Sequence, residues 1–266
     1  MKKFGEYLKD KMGSTPVAIH FRQATPRVIE PKSGVIPEPI HFKQLGTSVS
    51  KFLKKLKEDI GDQGMISDWK KKNDNEHLGK DPAAISAKLQ KDNKFSDNHR
   101  DIIDHYTGDD NHSKDMNRPL IHGFKSETHE KNLRPMYKAL DSAIDKNKIK
   151  KPMSLYSGLS FNPQDHTDEE GKLHSPAYIS ATHDKTLAHG YAEGYIKPGE
   201  TRHIMHIHVE PGDPVSHVSG ESDFGDEHES IVKRGQTLQH LGYEEHADPK
   251  TKSTYRIHHV KILRDQ

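Results

Sequence analysis

Apolar residues recur with one spacing in the first part of the chain and with another in the second. Phe4, Leu8 and Met12 fall at helical spacing, and after them Pro16, Pro26, Pro31, Pro37 and Pro39 punctuate scattered valines and isoleucines. Prolines this frequent interrupt helices and central strands alike, so residues 1–47 are expected to form a flexible or extended arm. Val49, Phe52, Leu53, Leu56 and Ile60 then build one helical face, with Lys51, Lys54, Lys55 and Lys57 on the remainder, Ser48 or Ser50 as cap and Gly61 as stop. A helix packed on its own protein with a solvated basic face is the favoured reading, within a small basic helical region over residues 48–95. Between Gly61 and Lys94 the chain is mostly polar around the single Trp69, which predicts short helices joined by linker. Leu133, Met136, Tyr137, Leu140, Ala143 and Ile144 mark the clearest helix, with Pro135 expected near its first turn.

From Met153 onward the period shortens. Leu155-Tyr156, Tyr178-Ile179, Ile204 to Val209, Ile231-Val232, Leu238 and Tyr255 to Leu263 are apolar runs separated by Gly, Pro and Asp turns, the texture of several short strands. Between them, Thr182 to Ala192 fits a short helix with Thr182 as cap and Leu187, Ala188, Tyr191 and Ala192 facing inward. The chain thus reads as helical over 96–150 and β-rich over 151–266, an α+β arrangement without tandem repeats or regular βαβ alternation.

Composition narrows the chemistry. Only 30% of the 266 residues are hydrophobic and 30% are charged, short of the roughly 45% apolar share of ordinary domains, so a compact core with long polar loops is expected. No apolar run approaches the roughly 18 residues of a membrane span, and Met1-Lys2-Lys3-Phe4 is not followed by the apolar stretch of a signal peptide, which points to a cytoplasm-like compartment. The absence of cysteine excludes disulfides, Cys-ligated zinc, iron–sulfur clusters and thiol nucleophiles. Residues 1–80 carry 16 basic against 10 acidic side chains while the whole chain has a net charge of +1, so the N-terminal region is the better contact for RNA or another polyanion. There is no Gly-x-Ser-x-Gly elbow, Walker A loop or GxGxxG fingerprint. His203, His206 and His208 on one predicted strand and His258-His259 on another are read as a polar strand face, with no metal required.

The segment Asp226-Glu227-His228-Glu229-Ser230-Ile231-Val232 sets two carboxylates two residues apart beside a strand signal. On an extended backbone both point to one side, and mutual repulsion lets one keep a raised pKa while the other stays anionic. Taken alone, such a pair reads more readily as a solvated acidic turn entering an edge strand.

Read with Leu155-Tyr156-Ser157-Gly158 and Tyr178-Ile179-Ser180-Ala181-Thr182, the pair resembles the arginine-serine-glutamate class of mono-ADP-ribosyltransferases, the fold of bacterial exoenzyme toxins and bacteriophage Alt- and Mod-type transferases. Lys233-Arg234-Gly235, Tyr106-Thr107-Gly108, Met116-Asn117-Arg118-Pro119-Leu120 and Leu140-Asp141-Ser142-Ala143 extend the likeness over residues 96–266. The resemblance implies two small, mainly antiparallel sheets that clamp NAD as substrate, without a metal. It implies Glu229 as the glutamate that stabilises the oxocarbenium-like ribose, Glu227 as the residue that orients or deprotonates an arginine acceptor, and Ser180 as the hydroxyl that bonds the ribose side or holds Glu229. Tyr156, Ser157, Gly158, Ser180, Thr182, Tyr191 and Glu229 are the implied NAD contacts. Ser157 departs from the pattern, because it stands where the family's arginine binds phosphate and cannot supply a guanidinium's charge and donor fork. Arg202 and Lys172 are the substitutes the sequence suggests. The same resemblance implies host protein acceptors, such as transcription or translation machinery, in a host cytoplasm, with packaging in a phage virion or transfer to RNA as variants. Its competitor is an interaction protein that keeps the fold after losing the arginine.

Overall fold

The computed structural model describes residues 75–108, 112–194, 200–222, 224–247 and 253–264. The opening at Phe4 to Met12, the proline-punctuated arm, the helix expected over Val49 to Ile60, and Trp69 lie outside the described residues. Five α-helices and eight β-strands follow among those described: α1 (Pro82–Gln90), α2 (Asp97–Thr107), α3 (His112–His122), α4 (Glu127–Lys146), β1 (Met153–Leu159), β2 (Lys172–Ser175), β3 (Ile179–Thr182), α5 (Lys185–Gly194), β4 (Arg202–Val209), β5 (Val215–His217), β6 (Glu229–Val232), β7 (Gln236–Ala247) and β8 (Thr254–Ile262). The helices α1 to α4 come first and the strands second, with α5 between β3 and β4, the α+β order expected from the change of period. None of these helices is long and apolar enough to cross a membrane.

The helices start where side chains satisfy their free N–H groups. The Asp81 carboxylate accepts from the Ala83 N–H with Pro82 in the first turn of α1, and Ser96 forms a reciprocal capping box with His99 on α2. Ser126 caps α4 by accepting from the His129 N–H at 3.1 Å. Helix α4 therefore begins well before the apolar stripe that opens at Leu133, and Pro135 lies inside it rather than in its first turn. The ring is tolerated on the exposed side, while Tyr137, Leu140, Ala143 and Ile144 are buried. They pack with Ile102, Ile103 and Tyr106 of α2, Met116 of α3, and Tyr178, Val218 and Ile231 from the β-rich half.

The strands form one sheet in the order β2-β7-β8-β4-β1-β3-β6-β5, antiparallel except for β4 beside β8. The two sheets expected from the resemblance are joined, but only by the single pair Tyr156↔Thr182 between β1 and β3. A five-strand portion and a three-strand portion thus meet at a narrow seam. One face of the five-strand portion buries Met153, Leu155, Met205, Ile207 and Val260 together with Leu78 and with Ile85 of α1. Asn75 reaches the same strand: its amide donates to the Ser154 carbonyl and accepts from the Ser154 N–H, both at 2.9 Å. Residues 75–90, upstream of the motif-bearing part, are built into this core. The opposite face carries α5, whose Ala188 and Ala192 cover Ile204. Gly158 permits that approach, since a Cβ there would stand 2.5 Å from the Ala192 nitrogen and 2.6 Å from the Ala188 carbonyl oxygen. The N-cap of α5 is Asp184, which accepts from the Thr186 N–H at 2.8 Å; Thr182, the expected cap, instead accepts from the Asp184 N–H at 3.0 Å and shapes the turn before the helix.

Candidate functional site

At the seam between the two portions lies a cavity of about 330 Å³. Tyr156, Ser157 and Gly158 from β1, Ser180 and Thr182 from β3, Tyr191 from α5, and Glu227 and Glu229 all line it. The catalytic and NAD-contact residues implied by the resemblance therefore all line one cavity, although the chain separates the first from the last by more than seventy positions.

Glu229 opens β6, in register with Thr182 of β3, and its backbone carbonyl accepts from the Val218 N–H at 2.9 Å. The residue is only 9% exposed. Burial, reinforced by the negative charge of Glu227, raises the carboxyl to about 7 against the opposing hydrogen bond from Ser180. Ser180 projects toward the cavity while its neighbour Ala181 packs into the core, as the strand's period of two requires. The Ser180 hydroxyl also sits 3.4 Å from that of Tyr106, whose ionisation burial suppresses. Asn117 fixes this corner by donating to the Tyr106 oxygen at 3.1 Å and to the Tyr178 carbonyl at 3.2 Å while accepting from the Tyr178 N–H at 3.1 Å.

Glu227 reaches the same cavity by a route other than the pleat. It ends a 3-10 turn, Gly225–Glu227, and the next residue, His228, adopts a left-handed conformation at φ 52° and ψ 40° before the strand starts at Glu229. The extended Glu-x-Glu geometry expected from the sequence is thus replaced by a turn. A non-glycine residue in this region carries strain and is kept by its surroundings. Here the Ser86 hydroxyl of α1 lies 2.9 Å from His228 Nδ1 and holds the ring, which packs 5.1 Å from that of His183.

Ser157 has a contact of its own: its hydroxyl donates to the Ser180 carbonyl at 2.9 Å, bridging β1 and β3 where their ladder is a single pair. The two cations suggested as substitutes for the arginine do not line the cavity. Arg202 is buried and pairs with Glu193 at 3.3 Å, and Lys172 pairs with Glu170. Lys114 and Arg118 of α3 line it instead. Arg118 belongs to the Met116-Asn117-Arg118-Pro119-Leu120 motif, which gives no indication of which strand the helix faces, and Lys114 carries no sequence signal. Tyr106 and Thr107 of the Tyr106-Thr107-Gly108 motif line the cavity as well, whereas the motifs around Asp141 and Arg234 hold elements together. Arg234 pairs with Asp141 of α4 at 2.9 Å and lies over the Tyr137 ring at 4.8 Å, and Lys233 pairs with Asp145 at 2.6 Å, so the turn after β6 is pinned to α4.

The histidines of β4 and β8 also differ from expectation. His206, His208 and His259 are 3%, 0% and 0% exposed, so they form an interior cluster and not a solvated polar face.

The cavity, with a raised-pKa carboxylate and two cations among its lining, forms a site able to hold an anionic ligand beside a glutamate. Among solved structures, the fold is similar to Plx2a, an ADP-ribosyltransferase toxin from Paenibacillus larvae, at 16% identity and a TM-score of 0.51 over 67% of this chain and 91% of that one. It is similar to the Clostridium limosum C3 exoenzyme at 16% identity and a TM-score of 0.51 over 69% and 93%. It is also similar to C3stau2 from S. aureus, solved with NAD, at 13% identity and a TM-score of 0.50 over 78% and 98%. At these identities the likeness is one of fold. Comparison with curated proteins finds no match. The family model ADPrib_exo_Tox, described as ADP-ribosyltransferase exoenzyme, matches residues 63–262. Because that match spans well over half of the sequence, the chain belongs to the ADP-ribosyltransferase exoenzyme family.

Proposed function

We propose that this protein is an NAD-dependent mono-ADP-ribosyltransferase that breaks the nicotinamide–ribose bond and transfers ADP-ribose to an arginine side chain of a protein. The observation that carries this reading is that Glu229, Glu227 and Ser180 line one cavity with Tyr156, Ser157 and the cations Lys114 and Arg118. In the reaction, the C1′–N bond of the nicotinamide ribose cleaves heterolytically and its electron pair leaves with nicotinamide. Positive charge develops at C1′, and the Glu229 carboxylate stabilises charge that exists mainly in the transition state. Ser180 donates to that carboxylate and fixes its rotamer. Glu227 takes the proton that the arginine nitrogen loses as it bonds to C1′, so one proton is released per transfer. Arg118 and Lys114 hold the pyrophosphate in place of the arginine that Ser157 replaces. Tyr191 and Tyr156 flank the base and sugar.

The test is intact-mass analysis after incubation with NAD and a bacterial lysate, beside Glu229→Gln, following free nicotinamide and ADP-ribose adducts on protein and RNA. Nicotinamide release and protein adducts in wild type alone are expected. Adducts on RNA alone would replace the acceptor class, and neither release nor adduct with a purified acceptor panel would leave an interaction protein that uses this fold without turnover.

A further inference from the structure

We propose that His206, His208 and His259 form a binding site for one divalent transition-metal ion of the zinc type, separate from the cavity above. His206 and His208 are alternate residues of β4, and His259 is the register partner of His206 on the parallel neighbour β8, so all three rings project from the same face of the sheet. One ring nitrogen from each lies within 4.8 Å of the other two. His208 Nε2 and His259 Nδ1 are 3.2 Å apart, close to the roughly 3.3 Å edge of a tetrahedron whose ligand nitrogens stand about 2.0–2.1 Å from zinc. The rings are already gathered, with centroids 4.2 Å apart for His206 and His208 and 4.9 Å for His206 and His259.

The surroundings match what a histidine-ligated ion needs. Ligating imidazoles are commonly oriented through their second nitrogen by a carboxylate. His259 has such a group: Glu244 Oε1 of β7 lies 3.8 Å from its Nε2 while its Nδ1 faces His208. The Ser154 hydroxyl of β1 stands 2.7 Å from His206 Nε2 and can complete the oxygen side of the site. Glu244 is partly exposed and marks the way in from solvent. Neutral imidazoles select zinc, cobalt, nickel or copper over magnesium or calcium. The other histidine group of the sheet shows the contrast. His240, His258 and His203 form a linear chain in which His258 uses one nitrogen on each neighbour, at 3.2 and 2.9 Å, and no common centre results.

None of the three histidines lines the cavity that holds Glu229. The ion therefore acts as a clamp between β4 and β8 and meets the cavity through Tyr156, whose ring stacks on His206 at 4.5 Å. The test uses the untagged full chain, stripped with chelator and titrated with Co²⁺ and then Zn²⁺, with bound metal, visible absorption and thermal midpoint as readouts. One saturating equivalent of Co²⁺ with an intense low-coordination band, displaced by Zn²⁺, and a raised midpoint are expected, over weaker unsaturated binding by surface histidines. His259→Gln should lose that equivalent. Glu244→Gln, which keeps all three ligands, should weaken it about 10- to 100-fold and serves if the buried substitution fails to fold. No saturable equivalent in wild type, or unchanged affinity in every variant that folds, overturns the site.

Discussion

If Glu229 acts as an anion, its raised pKa ties activity and stability to pH in opposite directions. The carboxyl moves from 4.5 to about 7 on folding, chiefly through burial. In the folded protein it binds a proton that the unfolded chain has already lost between those values, so folding stability is greatest below pH 4.5, declines as pH rises to 7, and is level above it. At roughly 1.4 kcal/mol per unit, ionising this one group costs about 3 kcal/mol at pH 8. Glu229→Gln keeps the size and an acceptor for Ser180 but cannot ionise. The variant should therefore gain about 3 kcal/mol over wild type between pH 4.5 and pH 8, a relative shift of about 6–12 °C in thermal midpoint for a chain of this length. Taking the difference between variants at each pH cancels the other titrating groups. Activity runs the other way: the ionised fraction rises from roughly a tenth at pH 6 to nine tenths at pH 8, so kcat/KM for NAD hydrolysis should climb about tenfold over that interval in wild type and be absent in the variant. Parallel stability profiles for the two proteins, or a flat kcat/KM from pH 6 to 8, would refute the reasoning.

Three further outcomes follow from the same geometry. Arg118→Ala should weaken NAD binding by about 10- to 100-fold, the range for a lost charge-assisted hydrogen bond, whereas Lys172→Ala should not; calorimetry giving equal affinities for wild type and Arg118→Ala removes α3 as the phosphate side of the cavity. Gly158→Ala drives a Cβ into backbone atoms of α5, so a loss of about 1–3 kcal/mol is expected from chemical denaturation, and an unperturbed midpoint would mean that α5 moves away freely. Ser86→Ala removes the contact that holds His228 in its left-handed turn; the ratio of protein modification to NAD hydrolysis should fall with Glu227 displaced, while stability changes by about 1 kcal/mol, and an unaltered ratio would show that the turn holds without α1.

What was legible in the sequence depended on how local the signal was. The apolar runs read from the sequence coincide with or overlap β1, β3, β4, β6 and β8, and Leu238 marks β7. By contrast β2 reads Lys-Leu-His-Ser and β5 reads Val-Ser-His, too short and polar to stand out. The histidines of β4 were misplaced because alternation of polar and apolar residues signals a solvated face only when one side of a sheet meets water. Here the hydrophobic core covers one side and α5 packs on the other. The Glu227 and Glu229 pair was legible as chemistry and wrong as geometry, since nothing local announces that His228 turns left-handed under the hold of a serine 142 positions away.

Ser157 shows how the same limit bears on function. Judged by its own strand, it is an arginine lost. In the fold, its hydroxyl crosses to the Ser180 carbonyl at the one place where β1 and β3 pair, while the cations Lys114 and Arg118 come to the cavity from α3. Closing the seam and supplying positive charge to the cavity are then duties of different elements, and a guanidinium at position 157 would have to give up one to perform the other. Ser157→Arg should consequently add little NAD affinity to wild type but restore binding in Arg118→Ala. A large gain in wild type would show instead that the phosphate position beside β1 lacks a cation and that α3 does not serve it.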